Sequence, residues 1–382
     1  MFSKKLASII LTVILLLSPL SIININAVTQ SEISAPSAVL IEVTTGKVLY
    51  EKNPHEVRPA ASLTKIMSAL LVLEAVKNGK IAFDTDVTVS AKAAAVPGAD
   101  VFLVEGEVMS VSDMLKATMV ASANDATLAL AETLAGSETA FVEKMNTRAK
   151  ELGMNDTVFK NCNGEEEGGH VTSAFDVAVM SAELLKHEKI IEYSSIWLDT
   201  LRGGKTQIVN SNKLLKSYSG ITGLKTGTTE EAGSCISASA VKNDMAVCAV
   251  VLGCQSGTER FKDATTLLDF GFANYKMANL ALPTEGIEEL KVSNGMTPTI
   301  ELECDVNKKV VLSNENSKKI TPIIELPESF AAPISPGEQV GVLKYLMEGE
   351  MIAQFPIRAK TGSEEMTYKS ILDVLLYWLF AF

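Results

Sequence analysis

Ser62-Leu63-Thr64-Lys65, heading the apolar run that ends at Asn78, decides how this chain is read. Apolar positions 66, 67, 70, 71 and 73 to 76 recur at helical spacing, and Gly79 is a stop signal. Being apolar almost all round, the segment is expected as a central, buried helix. Helical spacing puts the Ser62 hydroxyl and the Lys65 amine on one face, a nucleophile beside a base with no histidine between them. Ser239 and Lys242 repeat the spacing, but in a strand-like run, where positions i and i+3 point to opposite faces.

A serine hydroxyl attacks well only when an adjacent group takes its proton, and a lysine can do so only if its pKa falls through burial or a neighbouring cation. Lys225, in Lys225-Thr226-Gly227, is expected to supply that cation. Placed at a helix N-terminus, Ser62 also offers its own N–H and the helix dipole to a developing oxyanion. Gly227 lets a peptide approach the backbone as an added strand, and Thr228 can donate a second oxyanion N–H. Ser122-Ala123-Asn124 falls in a break between two helical patterns. There the hydroxyl can relay a proton to a leaving amine and the amide can grip a peptide group, although such residues also serve as plain helix caps. A second Lys-Thr-Gly, at Lys360-Thr361-Gly362, runs into Ser363-Glu364-Glu365 and reads as linker.

Outward from these segments, Ala38 to Val43 and Val48 to Tyr50 read as a hairpin about a Thr-Thr-Gly turn. Residues 110 to 187 read as helices: 112–120, 125–134, 137–152 and 173–187. Strands return at 223–229, 235–241 and 245–253, and a helix closes the domain at about 258–275. Strands at both ends with helices between them predict an α+β fold, an antiparallel sheet covered by helices. After Pro283 come short β-like runs (298–304, 309–312, 320–326 and 339–346), a small all-β domain.

Lys4 and Lys5 followed by the apolar run Leu6 to Leu20 and Ile25-Asn26-Ala27 read as a secretory leader. The tail from Lys369 to Phe382 is apolar and carries Tyr377 and Trp378. A helix of this length is shorter than the roughly 20 residues a bilayer span needs, so it is expected to anchor in the interface at the outer face of the cytoplasmic membrane. The expected division is a leader 1–27, a catalytic domain 28–278, a β-rich domain 279–362, and a linker and tail 363–382. Loss of the leader lysines takes the net charge from −12 to −14, an acidic balance that argues against nucleic acid. The five cysteines lack CxxC spacing, so no disulfide framework is expected, and Cys235, Cys248 and Cys254 read as buried in strands. The three histidines share no metal-ligand spacing, so no metal site is expected.

Ser-x-x-Lys, Ser-x-Asn and Lys-Thr-Gly in this order resemble the penicillin-recognising serine enzymes. The spacing, Ser122-Ala123-Asn124-Asp125-Ala126, the β domain and the apolar tail make the chain similar to low-molecular-mass penicillin-binding proteins of the D-alanyl-D-alanine carboxypeptidase family. The resemblance implies a β-lactamase/transpeptidase-like fold and no cofactor. It also implies release of the terminal D-alanine from the pentapeptide stem of peptidoglycan, with β-lactams as inhibitors. Ser62, Lys65 and Ser122 would then be catalytic, and Asn124, Lys225, Thr226, Gly227 and Thr228 would bind substrate. Arg260 falls where the family carries an arginine for the substrate's terminal carboxylate, which suits bidentate recognition. Ala123 stands where glycine is frequent, and Thr228 where some relatives have histidine. A β-lactamase would share the three motifs, but class A enzymes carry a Glu-x-x-Leu-Asn-type segment, whereas Glu165-Glu166-Glu167 runs into Gly-Gly-His. A non-catalytic sensor of the same fold is the other alternative, against which the intact motifs speak.

Overall fold

The apolar run Ala38 to Ile41 lies in a strand whose six residues are all buried, because both faces of its sheet are covered. Alternate side chains therefore enter two separate cores. Val39 and Ile41 join one, with Cys248, Val250 and Leu252. Ala38 and Leu40 join the other, with Ile236, Ala249 and Val251. Each large side chain so buried contributes roughly 1.5–3 kcal/mol. The protein is a computed structural model that describes residues 32–314 and 320–380; the expected leader lies outside them.

The sheet is antiparallel, in the order β2(Val48–Lys52), β1(Ser37–Glu42), β5(Met245–Cys254), β4(Gly233–Lys242), β3(Ile221–Thr229). The expected hairpin forms with the Gly46 N–H on Glu42 O, while the buried Glu42 carboxylate accepts from the N–H groups of Thr44 and Thr45. On one face pack the helices α1(Thr64–Lys77), α2(Asn124–Ala135) and α3(Ala174–Leu185). On the other lies α4(Gly257–Asn274), which buries Ala264, Leu267 and Leu268. As expected, α1 is buried through most of its length. Cys235, Cys248 and Cys254 are buried free thiols in the sheet.

The rival Ser-x-x-Lys is split as strand geometry requires. Ser239 is buried and shares a hydrogen bond with Thr222 (2.8 Å), while the Lys242 ammonium lies 4.1 Å from the centre of the Tyr218 ring.

The second domain differs from expectation at both of its ends. Tyr275–Asn279 is a strand, paired antiparallel with Lys309–Ser313 from Tyr275↔Ser313 to Asn279↔Lys309, so a division at 278/279 cuts a ribbon. The ribbon also joins the domains: Val311 enters the α4-side core, and Lys47 Nζ donates to Val311 O at 3.2 Å. At the far end Ser363 is not linker. It is buried, exchanges backbone hydrogen bonds with Ile334, and donates from Oγ to Thr297 O (3.5 Å). Between these ends lies a six-stranded sheet, 320–325, 339–347, 350–359, 299–303, 289–293 and 329–331, with its own core around Leu343, Tyr345, Phe355 and Ile357. Beyond it Tyr368–Phe380 is a helix whose apolar side chains, Trp378 among them, are exposed. Among the described residues no helix is long and apolar enough to cross a membrane.

Candidate active site

Ser62 sits in a tight turn, Ala61–Leu63, that runs directly into α1. Ala61 adopts φ +47°, a left-handed conformation that costs an L-residue roughly 1–2 kcal/mol, so the neighbours must hold it there. They do so on two sides. Gly164 approaches so closely that a side chain there would strike Ala61 O, and a Cβ on Gly227 would lie 3.1 Å from Ser62 N. The turn is also tied from below: Thr64 Oγ1 meets His170 Nε2 at 2.8 Å, and His170 Nδ1 accepts from the Lys160 N–H at 3.3 Å. With Nδ1 an acceptor, Nε2 carries the proton, and burial lowers the imidazole to about 4, leaving it neutral.

Lys65 is wholly buried at the start of α1, one turn beyond Ser62, and its ammonium has three acceptors. Asn124 Oδ1 and Asn163 O lie at 2.6 Å each, and Ser62 Oγ at 3.2 Å. Burial pulls this lysine down to about 7. The carboxylates of Glu165 and Asp125 oppose that shift, and Cys162 would do so only as a thiolate, a form that burial suppresses by pushing the thiol up. The expected dependence on Lys225 is therefore corrected: desolvation lowers Lys65. Lys225 is itself pushed well down by burial, and then by the charges of Lys65 and Arg260.

The second motif begins where the helix Val111–Lys116 widens into one π turn, Ala117–Ala121, and stops at Ser122 with φ +59°. Asn124 then opens α2. Its N–H donates to Ala99 O (2.6 Å), and its Nδ2 donates to Pro97 O (2.7 Å) and Glu165 Oε1 (2.6 Å). Asp125 accepts from the N–H groups of Val101 and Leu103 at 3.1 and 3.0 Å. Ser122 is half-buried, and its hydroxyl enters none of these bonds.

The third motif lies on β3. Lys225 is buried and donates from Nζ to Thr226 O at 2.9 Å, while Thr226 Oγ1 shares a short hydrogen bond with Ser211 Oγ. Arg260, on the first turn of α4, is 9% exposed, and its Nη1 donates to Gly227 O (3.0 Å) and Thr228 Oγ1 (2.7 Å). Its Nε is buried without a partner among the described residues. The guanidinium thus ties the first turn of α4 to β3.

Ser62, Lys65 and Asn124 form one hydrogen-bonded set, with Gly227 packed on the Ser62 backbone. Sequence reasoning missed Asn163, whose carbonyl holds Lys65, and Glu165, whose carboxylate holds Asn124. It also missed the lacing of residues 97–103 onto the second motif. Asn163-Gly164 is a turn signal that could have marked the first of these.

Residues 24–256 match the family model described as D-alanyl-D-alanine carboxypeptidase, and residues 275–365 match the penicillin-binding protein 5 C-terminal domain. The chain is 40% identical to D-alanyl-D-alanine carboxypeptidase DacF of Bacillus subtilis (strain 168), over 97% of each chain. Among solved structures, penicillin-binding protein 5 from Haemophilus influenzae superimposes with a TM-score of 0.76 at 29% identity, over 89% of this chain and 100% of that one. Penicillin-binding protein D2 from Listeria monocytogenes, in its ampicillin-bound form, does so with a TM-score of 0.58 at 34% identity, over 63% of this chain and 98% of that one. The expected fold class and reaction class are both borne out: the chain belongs to the serine-type D-alanyl-D-alanine carboxypeptidases of the penicillin-binding protein family.

Proposed function

We propose that this carboxypeptidase trims the pentapeptide stem of peptidoglycan through an acyl-enzyme on Ser62, with Lys65 as the base. The coordination of Lys65 carries this reading. A neutral amine has two N–H groups and one lone pair. The two short bonds, to Asn124 Oδ1 and Asn163 O, take the N–H groups, and the remaining direction points at Ser62 Oγ. With a pKa near 7, Lys65 is poised to take the hydroxyl proton and return it later.

In this reading Ser62 Oγ attacks the carbonyl of the penultimate D-alanine. The oxyanion is held by the N–H groups of Ser62 and Thr228, with the field of the Ser62 turn and α1 behind it. Strand β3 receives the peptide at Thr226 and Gly227, with Lys225 of the same motif binding the substrate. Arg260 favours the terminal carboxylate through Thr228, whose hydroxyl it holds. Ser122 passes the proton to the departing D-alanine, and water then releases the acyl group. The Asn124 amide proton now given to Glu165 is the one a substrate carbonyl would take. β-Lactams, one of which is bound in the Listeria relative, are read as acylating the same serine.

The purified protein is expected to release D-alanine from a pentapeptide ending in D-Ala-D-Ala, and Ser62→Ala to release none. Penicillin binding without D-alanine release would leave a sensor, and rapid penicillin turnover a β-lactamase.

Export and membrane attachment belong to the same reading. They are supported by the leader pattern at 1–27 and by the exposed apolar side chains of Tyr368–Phe380, which suit a helix lying in an interface. Deleting residues 369–382 is expected to move the protein from the membrane to the soluble fraction of expressing cells; unchanged sedimentation would exclude the anchor.

A further inference from the structure

Asn124 spends every hydrogen-bonding group of its amide. Oδ1 accepts from Lys65, one Nδ2 proton goes to Pro97 O, and the other goes to Glu165 Oε1. The two ends of an amide have nearly the same shape, so its partners decide which way round it sits. Pro97 O and an ionised Glu165 can only accept. Together they draw the NH₂ end and leave the oxygen for Lys65.

Glu165 is delivered to this point by a turn that its own side chains fold. Gly164 N donates to Asn161 Oδ1 (2.8 Å), Asn161 Nδ2 to Glu165 O (3.0 Å), and Glu165 N to Asn163 Oδ1 (3.2 Å). The same turn presents Asn163 O to Lys65. Gly98 closes over the contact: a Cβ there would lie 2.5 Å from both Asn124 Nδ2 and Glu165 Oε1. Three segments distant in sequence thus converge on one amide–carboxylate pair.

We propose that Glu165 is a positioning residue for the base: its carboxylate fixes the Asn124 amide with the oxygen on Lys65, and its charge lies just beyond that amide. Glu165 touches no reacting atom, and the proposal rests on reading Lys65 as the base. The other charged or titratable groups around Lys65 are differently placed. Asp125, on α2, is committed to the N–H groups of Val101 and Leu103. Lys225, on β3, spends its amine on Thr226 O. Cys162 is kept neutral by burial. Because a substrate carbonyl would replace Glu165 on Nδ2, its influence belongs to the free enzyme, which kcat/KM reports and kcat does not.

Glu165→Gln keeps an acceptor oxygen at the same reach and removes the charge; Glu165→Ala removes both. On the full chain, the second-order rate of Ser62 acylation by a fluorescent penicillin would be followed from pH 5 to 9. For Glu165→Gln the plateau is expected within about threefold of the parent, with the acidic limb lower by about half a pH unit, since a nearby opposite charge no longer favours the ammonium. For Glu165→Ala the plateau is expected to fall at least about tenfold. A Glu165→Gln limb at the parental pH overturns the proposal, whatever its plateau. A parental profile flat across the range overturns the Lys65 reading, and this proposal with it.

Discussion

Lys65→Met is expected to slow acylation of Ser62 by about 10⁴-fold or more while the protein still folds. Methionine matches the reach of the lysine stem but has nothing to accept the hydroxyl proton. Asn124 Oδ1 and Asn163 O each lose a donor and Ser62 Oγ loses its partner, a cost of about 1–3 kcal/mol for any that stays unsatisfied. Removing an amine that had to be desolvated offsets part of that cost. Lys65→Arg is expected to rescue nothing, since a guanidinium stays protonated and cannot act as a base. The sign with pH follows. Lys65 must be neutral to act, so parental acylation is expected to be flat above about 7 and to fall roughly tenfold per unit below it. Stopped-flow acylation across pH, with thermal unfolding as the fold control, checks both parts.

Gly164→Ala is the second large effect, and it comes from backbone contact alone. Gly164 has φ +89°, and an added Cβ would strike Ala61 O and Ala61 C and lie 2.9 Å from Ser62 N. None of these atoms can rotate away. Either the Ser62 turn shifts, or the 161–165 turn retreats and takes Asn163 O from Lys65. A displacement of about 1 Å at a nucleophile can cost about 100-fold, so acylation is expected to fall by at least that much. Stability should fall by about 1–3 kcal/mol. Gly168→Ala, in the same loop, meets nothing within 4 Å and is expected to acylate and melt like the parent. Equal behaviour of the two variants would show that the Gly164 contact does not hold the serine.

The parts of the site legible in the sequence are those whose chemistry lives in side chains at local spacing. Ser62 and Lys65 share a helix face, and Lys225 to Thr228 share a strand, so local spacing together with the three-motif resemblance placed them. The parts that were not legible act through backbone atoms or distant loops. Any residue at 163 or 97 would supply the same carbonyl, so residue identity names neither contact, and Asn163-Gly164 marks only that a turn is there. The weight given to Lys225 over burial failed for a related reason: a one-dimensional reading finds a second cation but cannot measure how dry the first one is.

The β domain shows the same division. The strand 350–359 contains Pro356, which weakens any strand reading, yet its ladder with 299–303 involves Ala359 and Arg358 and leaves Pro356 beyond it. Tyr275–Asn279 did not read as a strand because its partner, Lys309–Ser313, lies some 30 residues further on and across the expected boundary.

Acylation of the parental enzyme by a penicillin, with the modified residue located by peptide mass spectrometry and the rate followed from pH 5 to 9, tests the pairing of Ser62 with Lys65 most directly. The account predicts one adduct, on the peptide containing Ser62, forming at half its maximal rate near pH 7. An adduct on another serine, or a rate that does not change across that range, would contradict it.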